Sequence, residues 1–551
     1  MEKLTRRQFL GTAALGAGSL FIWGCGGKSA GVQPQDGSYV IAETTFGKVR
    51  GLREQGVNCF KGIPYAGSVS GEHRFGRPAP LTPWAEVRDA LRLGTPAMQS
   101  ASTVYGKDEP APGEDCLVLN VWTPANDNGK RPVVFYNHGG GYATGSGGAV
   151  GQDGANLARH YDVVVVETNH RLNIFGFLYL GEVAGEEYKT SGNNGMLDIV
   201  EGLRWVNQNI AQFGGDPNNV MICGESGGGY KTSILYGMPL AAPYFNKASI
   251  ESGPGLRVNS LETATMVTDL VMKDLGVAKN DWRKLLEMPA DQLFAVQGRV
   301  NTLLAGHTLK KGERFGFAPV VDNVSILAQP FVPVAPELSK EKPLMVGWNE
   351  DEFVFFLMTS NNLDPLKLKR DDYKQLETLL RPQYQAHAKT IVDTYRQSRP
   401  EASASELYVA ITSIAMMGLG SIEIAEKKSR QGGAPAYLYN FTFKHGGKVP
   451  GTDYPMSTPH AMDIAYKFDN AEAGGGLTGD RPERIEAAHN FSALWTSFAR
   501  NGKPGMADLP EWPAYDLERR AMMKIDAPCV VVNDPDRAIR EMWTALGYIE
   551  S

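Results

Sequence analysis

The sequence is poor in the features that mark several large protein classes. Cysteine is scarce: 551 residues contain five, at positions 25, 59, 116, 223 and 529. None belongs to a CxxC pair or to a Cys/His cluster at metal-ligating spacing, so the usual zinc patterns and a disulfide-built scaffold are excluded. Positive charge is neither in excess nor in blocks. Fifty-five Lys and Arg stand against 61 Asp and Glu, a net charge of −6, whereas a nucleic-acid binder needs a basic face. The Gly474-Gly475-Gly476 triplet lacks the following Lys-Ser/Thr of a phosphate-cradling loop and reads as a plain loop. No internal repeat is visible. What remains is an ordinary composition, 42% hydrophobic and 21% charged, on a chain long enough to bury a large core without staples.

The first residues read as an address rather than as fold. Thr5-Arg6-Arg7-Gln8-Phe9-Leu10 is a twin-arginine pattern, followed by an uncharged, small and apolar run from Phe9 to Gly24. Glycines interrupt that run and it is short for a bilayer, so it reads as an export signal, not a spanning helix. Ile22-Trp23-Gly24-Cys25 resembles a lipobox, in which Cys25 would be lipidated and become the mature N-terminus. Gly26 to Gly37 is polar and Gly-rich, suited to a tether. The expected organisation is a signal peptide over 1–24, a flexible tether over 25–38 and one folded domain over 39–551. The expected location is periplasmic or extracellular, with Cys25 as a membrane tether.

From Tyr39 to Tyr65 short extended pieces alternate with glycine turns, as in a small antiparallel start to a sheet. Apolar runs typical of buried parallel strands follow at Pro132–Tyr136, Asp162–Thr168, Val220–Cys223, Leu344–Gly347 and Cys529–Val532. Between the second and third, Leu197, Val200, Leu203, Val206 and Ile210 recur at helical spacing on one face. Strands alternating with helices predict an α/β fold with a large, mostly parallel sheet. The stretch from about 261 to 431 reads as mainly helical, a cap over the sheet's top edge.

Gly224-Glu225-Ser226-Gly227-Gly228 directly follows the strand Val220–Cys223. A serine alcohol is a weak nucleophile that needs an adjacent base and must project clear of the backbone. A strained strand-to-helix elbow flanked by glycines provides that projection. Upstream, His138-Gly139-Gly140-Gly141-Tyr142 follows the strand Pro132–Tyr136. Consecutive glycines let backbone N–H groups converge on a developing oxyanion, and Gly140, Gly141 and Gly227 are the expected donors. The chain order nucleophile, acid, histidine then directs attention downstream. His460 lies in a Pro-rich loop, and His445, which also follows a strand, competes with it; His387 and His489 fall in polar helical stretches and His307 in a loop. The strand Leu344–Gly347 runs into Asn349-Glu350-Asp351-Glu352, which puts three candidate acids at a strand's C-terminal edge. Glu225, beside the nucleophile, reads equally as a tuner of the histidine or as a structural carboxylate.

Over nearly everything from Tyr39 onward the chain resembles the type-B carboxylesterase and cholinesterase family of α/β-hydrolases. Phe60–Ala66 and Glu114–Asn120 resemble its two early signatures, and Asn169–Leu172, Phe213–Pro217, Trp495–Pro504 and Trp512-Pro513 resemble further family segments. The resemblance implies a carboxylesterase catalytic domain, a small-molecule ester substrate, and no metal or organic cofactor. It implies Glu352, within Gly347–Phe353, as the acid and His460, ahead of Ala461-Met462-Asp463, as the base for Ser226. It also shows departures. Gly227 replaces the usual alanine, which would loosen the elbow by about 0.5–1 kcal/mol. Phe353 replaces the glycine after the acid, so that corner must pack differently. The partner of the cysteine at Cys116 is missing, with Ala97 near its place, which puts the usual disulfide in doubt. The segment from Ala97 to Asp115 contains no tryptophan, so a choline cation would lose its best cation–π partner. Cleavage of an amide or carbamate by the same mechanism is the alternative. A non-catalytic binding module, as in relatives that lack the serine or histidine, is disfavoured because this chain keeps the whole triad.

Overall fold

A computed structural model describes residues 39–100, 109–149, 151–314, 316–473 and 475–550. The segments 1–24 and 25–38, and with them Cys25, lie outside the described residues.

Thirteen strands form a single mixed sheet. They are β1 (Tyr39–Thr44), β2 (Gly47–Glu54), β3 (Val57–Pro64), β4 (Arg88–Asp89), β5 (Val118–Thr123), β6 (Arg131–Asn137), β7 (Val164–Thr168), β8 (Gly215–Glu225), β9 (Lys247–Glu251), β10 (Leu344–Asn349), β11 (Ala436–Phe441), β12 (Ala521–Ile525) and β13 (Val530–Asn533). Their order is β1-β2-β3-β5-β7-β6-β8-β9-β10-β11-β12-β13, with β4 beside β2. The first strands pair antiparallel, as the sequence suggests. From β7 to β12 every pairing is parallel. These inner strands are covered on both faces, which is why their sequences are near-continuous apolar runs.

One strand differs from the sequence reading. Cys529–Val532 is not a buried parallel strand: β13 runs antiparallel to β12 at the sheet's edge, and Val530 is 47% exposed. A short apolar run does not distinguish a core strand from the last strand of a sheet. The helix expected from the 197–210 periodicity spans Asn194–Asn209; Leu197, Leu203 and Val206 are buried, and Ile210 continues the face into a 3₁₀ turn. The helical run 404–431, interrupted by a π-helical turn at Ile414–Gly418, is apolar enough to cross a membrane. Most of that run is buried inside the fold, as in a core helix.

Two of the family-like segments prove to be structural clamps. Glu114 takes Arg74 in a two-pronged pair at 2.6 and 2.7 Å, and Arg74 also donates to the Leu285 and Met288 carbonyls. Asp198 likewise accepts from Arg171 Nε at 2.8 Å, Nη2 at 2.6 Å and the Arg171 backbone N–H at 2.9 Å. Both residues of the second pair are fully buried, so either one left without the other would cost about 3–5 kcal/mol. Cys59, Cys116, Cys223 and Cys529 are buried free thiols, so Cys116 forms no disulfide among the described residues. Ala97 instead makes a bridge to Gly113.

Candidate active site

Five parallel strands end at one place. β6 and β8 are neighbours with Asn137 opposite Gly224, β8 ends with Glu225 opposite Glu251, and β10 ends with Asn349 opposite Phe441. Loops leaving the C-terminal ends of adjacent parallel strands make the crevice where such sheets place their chemistry.

Ser226 stands at the end of β8 with φ 58° and ψ −120°, a conformation costly for a residue with a Cβ. The strain is held from both sides: its N–H donates to the Glu251 carbonyl at 2.9 Å, and its carbonyl accepts from Tyr230 N at 3.1 Å. The glycine after the elbow has a steric reason. A Cβ on Gly228 would fall 1.9 Å from the Asn137 carbonyl oxygen, so the elbow helix Gly227–Tyr236 can cross β6 only with glycine there.

The glycine loop after β6 presses on the same helix. A Cβ on Gly227 would lie 2.3 Å from Gly141 N and 2.5 Å from its Cα. Rather than only loosening the elbow, glycine at 227 admits the loop to within backbone contact. Among the described residues no protein acceptor takes the N–H of Gly140 or Gly141. Gly227, first in its helix, also has a free N–H by position. Gly141 and Gly227 thus meet at a helix N-terminus with N–H groups that no described acceptor takes, an environment where negative charge can be held. Gly227→Ala is expected to displace Gly141 and to lower kcat roughly 100-fold, with little change in melting temperature; kinetics beside thermal unfolding checks this.

The structure separates the candidates that the sequence left open. Glu350 and Asp351 both pair with Lys444, Asp351 at 2.6 Å. Glu352 is fully buried and turns instead to His460, with Oε2 2.5 Å from Nδ1. Its other oxygen accepts from the Asn349 backbone N–H at 2.8 Å. His445 bonds the Gly476 carbonyl and the Gly447 N–H, away from this cluster, while His387 and His489 are exposed. Phe353 fills the corner after the acid by packing on Phe356 and Tyr408, and its N–H donates to Ser413 Oγ. The same turn of helix brings Phe356 and Phe355 against the His460 ring, at 4.8 and 5.7 Å between centroids.

Sequence reasoning missed a buried scaffold behind these residues. Asn349 Nδ2 donates to the Pro459 carbonyl at 2.9 Å and to Asp463 Oδ1 at 3.0 Å. Lys467 bridges Asp463 at 3.0 Å and Glu251 at 2.5 Å, and Glu251 also accepts from Trp495 Nε1 and Ser249 Oγ. A lysine four residues after an acid on one helix was the available signal.

The side chain of Glu225 belongs to the site. Its Oε1 lies 3.2 Å from His460 Nε2, and both groups are buried. Burial disfavours the imidazolium, but the Glu225 and Glu352 carboxylates outweigh it and hold His460 above its ordinary range. Burial raises Glu225 as well, opposed by His460. The pair thus competes for one proton at the elbow. Since the Glu225 charge raises His460, Glu225→Gln is expected to move the acid limb of the kcat/KM profile to lower pH by about 1–3 units. An unmoved limb in a full pH series would assign Glu225 a structural role.

Comparison with known proteins agrees with this architecture. The profile of the carboxylesterase family matches residues 38–542. The chain belongs to the carboxylesterase family. It is 31% identical over 517 residues to para-nitrobenzyl esterase of Bacillus subtilis (strain 168), covering 92% of this chain and 98% of that one. It is 30% identical to phenmedipham hydrolase of Pseudarthrobacter oxydans, covering 88% and 94%. The crystal structure of a Geobacillus stearothermophilus carboxylesterase superposes with a TM-score of 0.78 at 34% identity, over 91% of this chain and 99% of that one. The fold is that of the α/β-hydrolases, and this carboxylesterase is a carboxylic ester hydrolase. Groups of His, Cys, Asp and Glu suited to a metal do not occur among the described residues.

Proposed function

We propose that this carboxylesterase cleaves its ester through an acyl-enzyme on Ser226. His460 takes the Ser226 proton as the oxygen attacks the ester carbonyl, and Glu352 holds the imidazole's tautomer and balances its charge. The N–H groups of Gly140, Gly141 and Gly227 receive the oxyanion, and losing one such donor typically costs about 2.7–4 kcal/mol of transition-state stabilisation. The imidazolium then protonates the departing alcohol, and water repeats the cycle to release the acid. The observation that carries this reading is the 2.5 Å contact between His460 and the buried Glu352, beside an elbow serine at positive φ. Hydrolysis of 4-nitrophenyl butyrate by the chain lacking residues 1–25 tests it, the inactive outcome for a folded protein counting against it.

The N-terminal pattern supports export by the twin-arginine route and anchorage through a lipid on Cys25. Sequential extraction of membranes from producing cells tests the anchor. Release only by detergent is expected; release by salt alone would contradict lipidation.

A further inference from the structure

Next to the elbow stands a cation that the hydrolytic machinery does not use. The Arg314 guanidinium lies over the Tyr230 ring, 3.7 Å from its centroid. Tyr230 is the residue whose N–H binds the Ser226 carbonyl, one turn into the elbow helix. Arg314 also lies within electrostatic reach of Tyr142, the residue after the oxyanion glycines. The side chain is only partly exposed, yet among the described residues no carboxylate or carbonyl accepts from its guanidinium. Its sequence neighbour Glu313 is already engaged, by Ser260 N and Thr263 Oγ1 at the start of the helix Leu261–Asp274 and by Lys310 N.

The backbone there is fixed. Arg314 N donates to Asn259 Oδ1 at 2.8 Å, and Asn259 Nδ2 returns a bond to the Arg314 carbonyl at 3.1 Å. Burial works against the charge and the two phenols offset it, keeping the guanidinium fully charged. A half-buried arginine with a pinned backbone, whose described partner is the Tyr230 phenol and which has no acidic partner among the described residues, is preorganised for a planar anion, because the guanidinium fork matches a carboxylate in two parallel bonds.

We propose that Arg314 binds a free carboxylate carried by the ester substrate, so that the physiological substrate class is a half-ester or another ester with an anionic group a few atoms from the scissile bond. This rests on Ser226 as the nucleophile. The test compares matched pairs that differ only in charge: 4-nitrophenyl hydrogen adipate against 4-nitrophenyl methyl adipate, and 4-acetoxybenzoate against its methyl ester. In at least one pair, Arg314→Gln is expected to lower kcat/KM on the acid roughly 10- to 100-fold, mainly through KM, and to change the methyl ester less than about threefold. Arg314→Lys should recover part of the loss, and added salt should weaken the wild-type enzyme on the acid alone. Equal losses on acid and methyl ester in both pairs would make Arg314 a structural clamp and overturn the inference. Failure of the wild type on the methyl esters as well would strike the nucleophile reading instead, so the two failures are distinguishable.

Discussion

Ser226→Ala is expected to reduce ester turnover by about 10⁶-fold, to the level that the oxyanion donors and substrate binding sustain alone. The size of the effect follows from the roles: without an attacking oxygen, His460 has no proton to accept and Glu352 no imidazolium to stabilise. The effect should fall on kcat, since the alanine removes no group that binds the ester. The fold should survive, because the strained elbow is held by backbone bonds to Glu251 and Tyr230 that do not involve the hydroxyl. Unchanged melting temperature beside lost turnover is the expected pair of readings. Comparable turnover in the variant would place the nucleophile elsewhere.

Glu352→Gln is expected to cost about 10⁴-fold in kcat, the loss that follows when an amide replaces the acid and permits the wrong histidine tautomer. Here the geometry sharpens the expectation. Glu352 Oε1 accepts the Asn349 backbone N–H while Oε2 faces His460 Nδ1, so an amide that keeps its oxygen on the Asn349 N–H turns its NH2 to Nδ1, which must then accept and leaves the imidazole proton on Nε2. His460 would also lose one of the two carboxylates that hold it above its ordinary range. The acid limb of the variant's residual activity should therefore move to lower pH. A loss below about tenfold would mean that Glu225, 3.2 Å from the other ring nitrogen, replaces Glu352 as the charge partner, against the roles assigned from the usual triad.

The elbow and the glycine loop after β6 were legible because each is local: a strand, a glycine cluster and a serine carry the pattern within a few residues. The acid and the base were not, because they are set by long-range placement. Glu350, Asp351 and Glu352 differ in sequence by one position each, and only the fold turns the first two to Lys444 and the third to His460. His445 and His460 both end strand-to-loop connections, and the resemblance rather than spacing chose between them. Among the strands, β9 was hidden because Lys247, Ser249 and Glu251 break its apolar run, although all three are buried and bonded to distant segments, Lys247 to Asn219, Ser249 to Trp495 and Glu251 to Lys467. β13 was visible as a run but not as an edge. The close approach of Gly141 to Gly227 likewise depends on two neighbouring strands, and no local pattern records it.

The most direct measurement is mass-spectrometric mapping after reaction with a fluorophosphonate, which traps an activated serine. The expected result is one adduct per chain, on the peptide containing Ser226, absent from Ser226→Ala and much slower to form in His460→Ala. An adduct on another serine, with activity lost in step, would contradict the nucleophile assignment on which the mechanism rests.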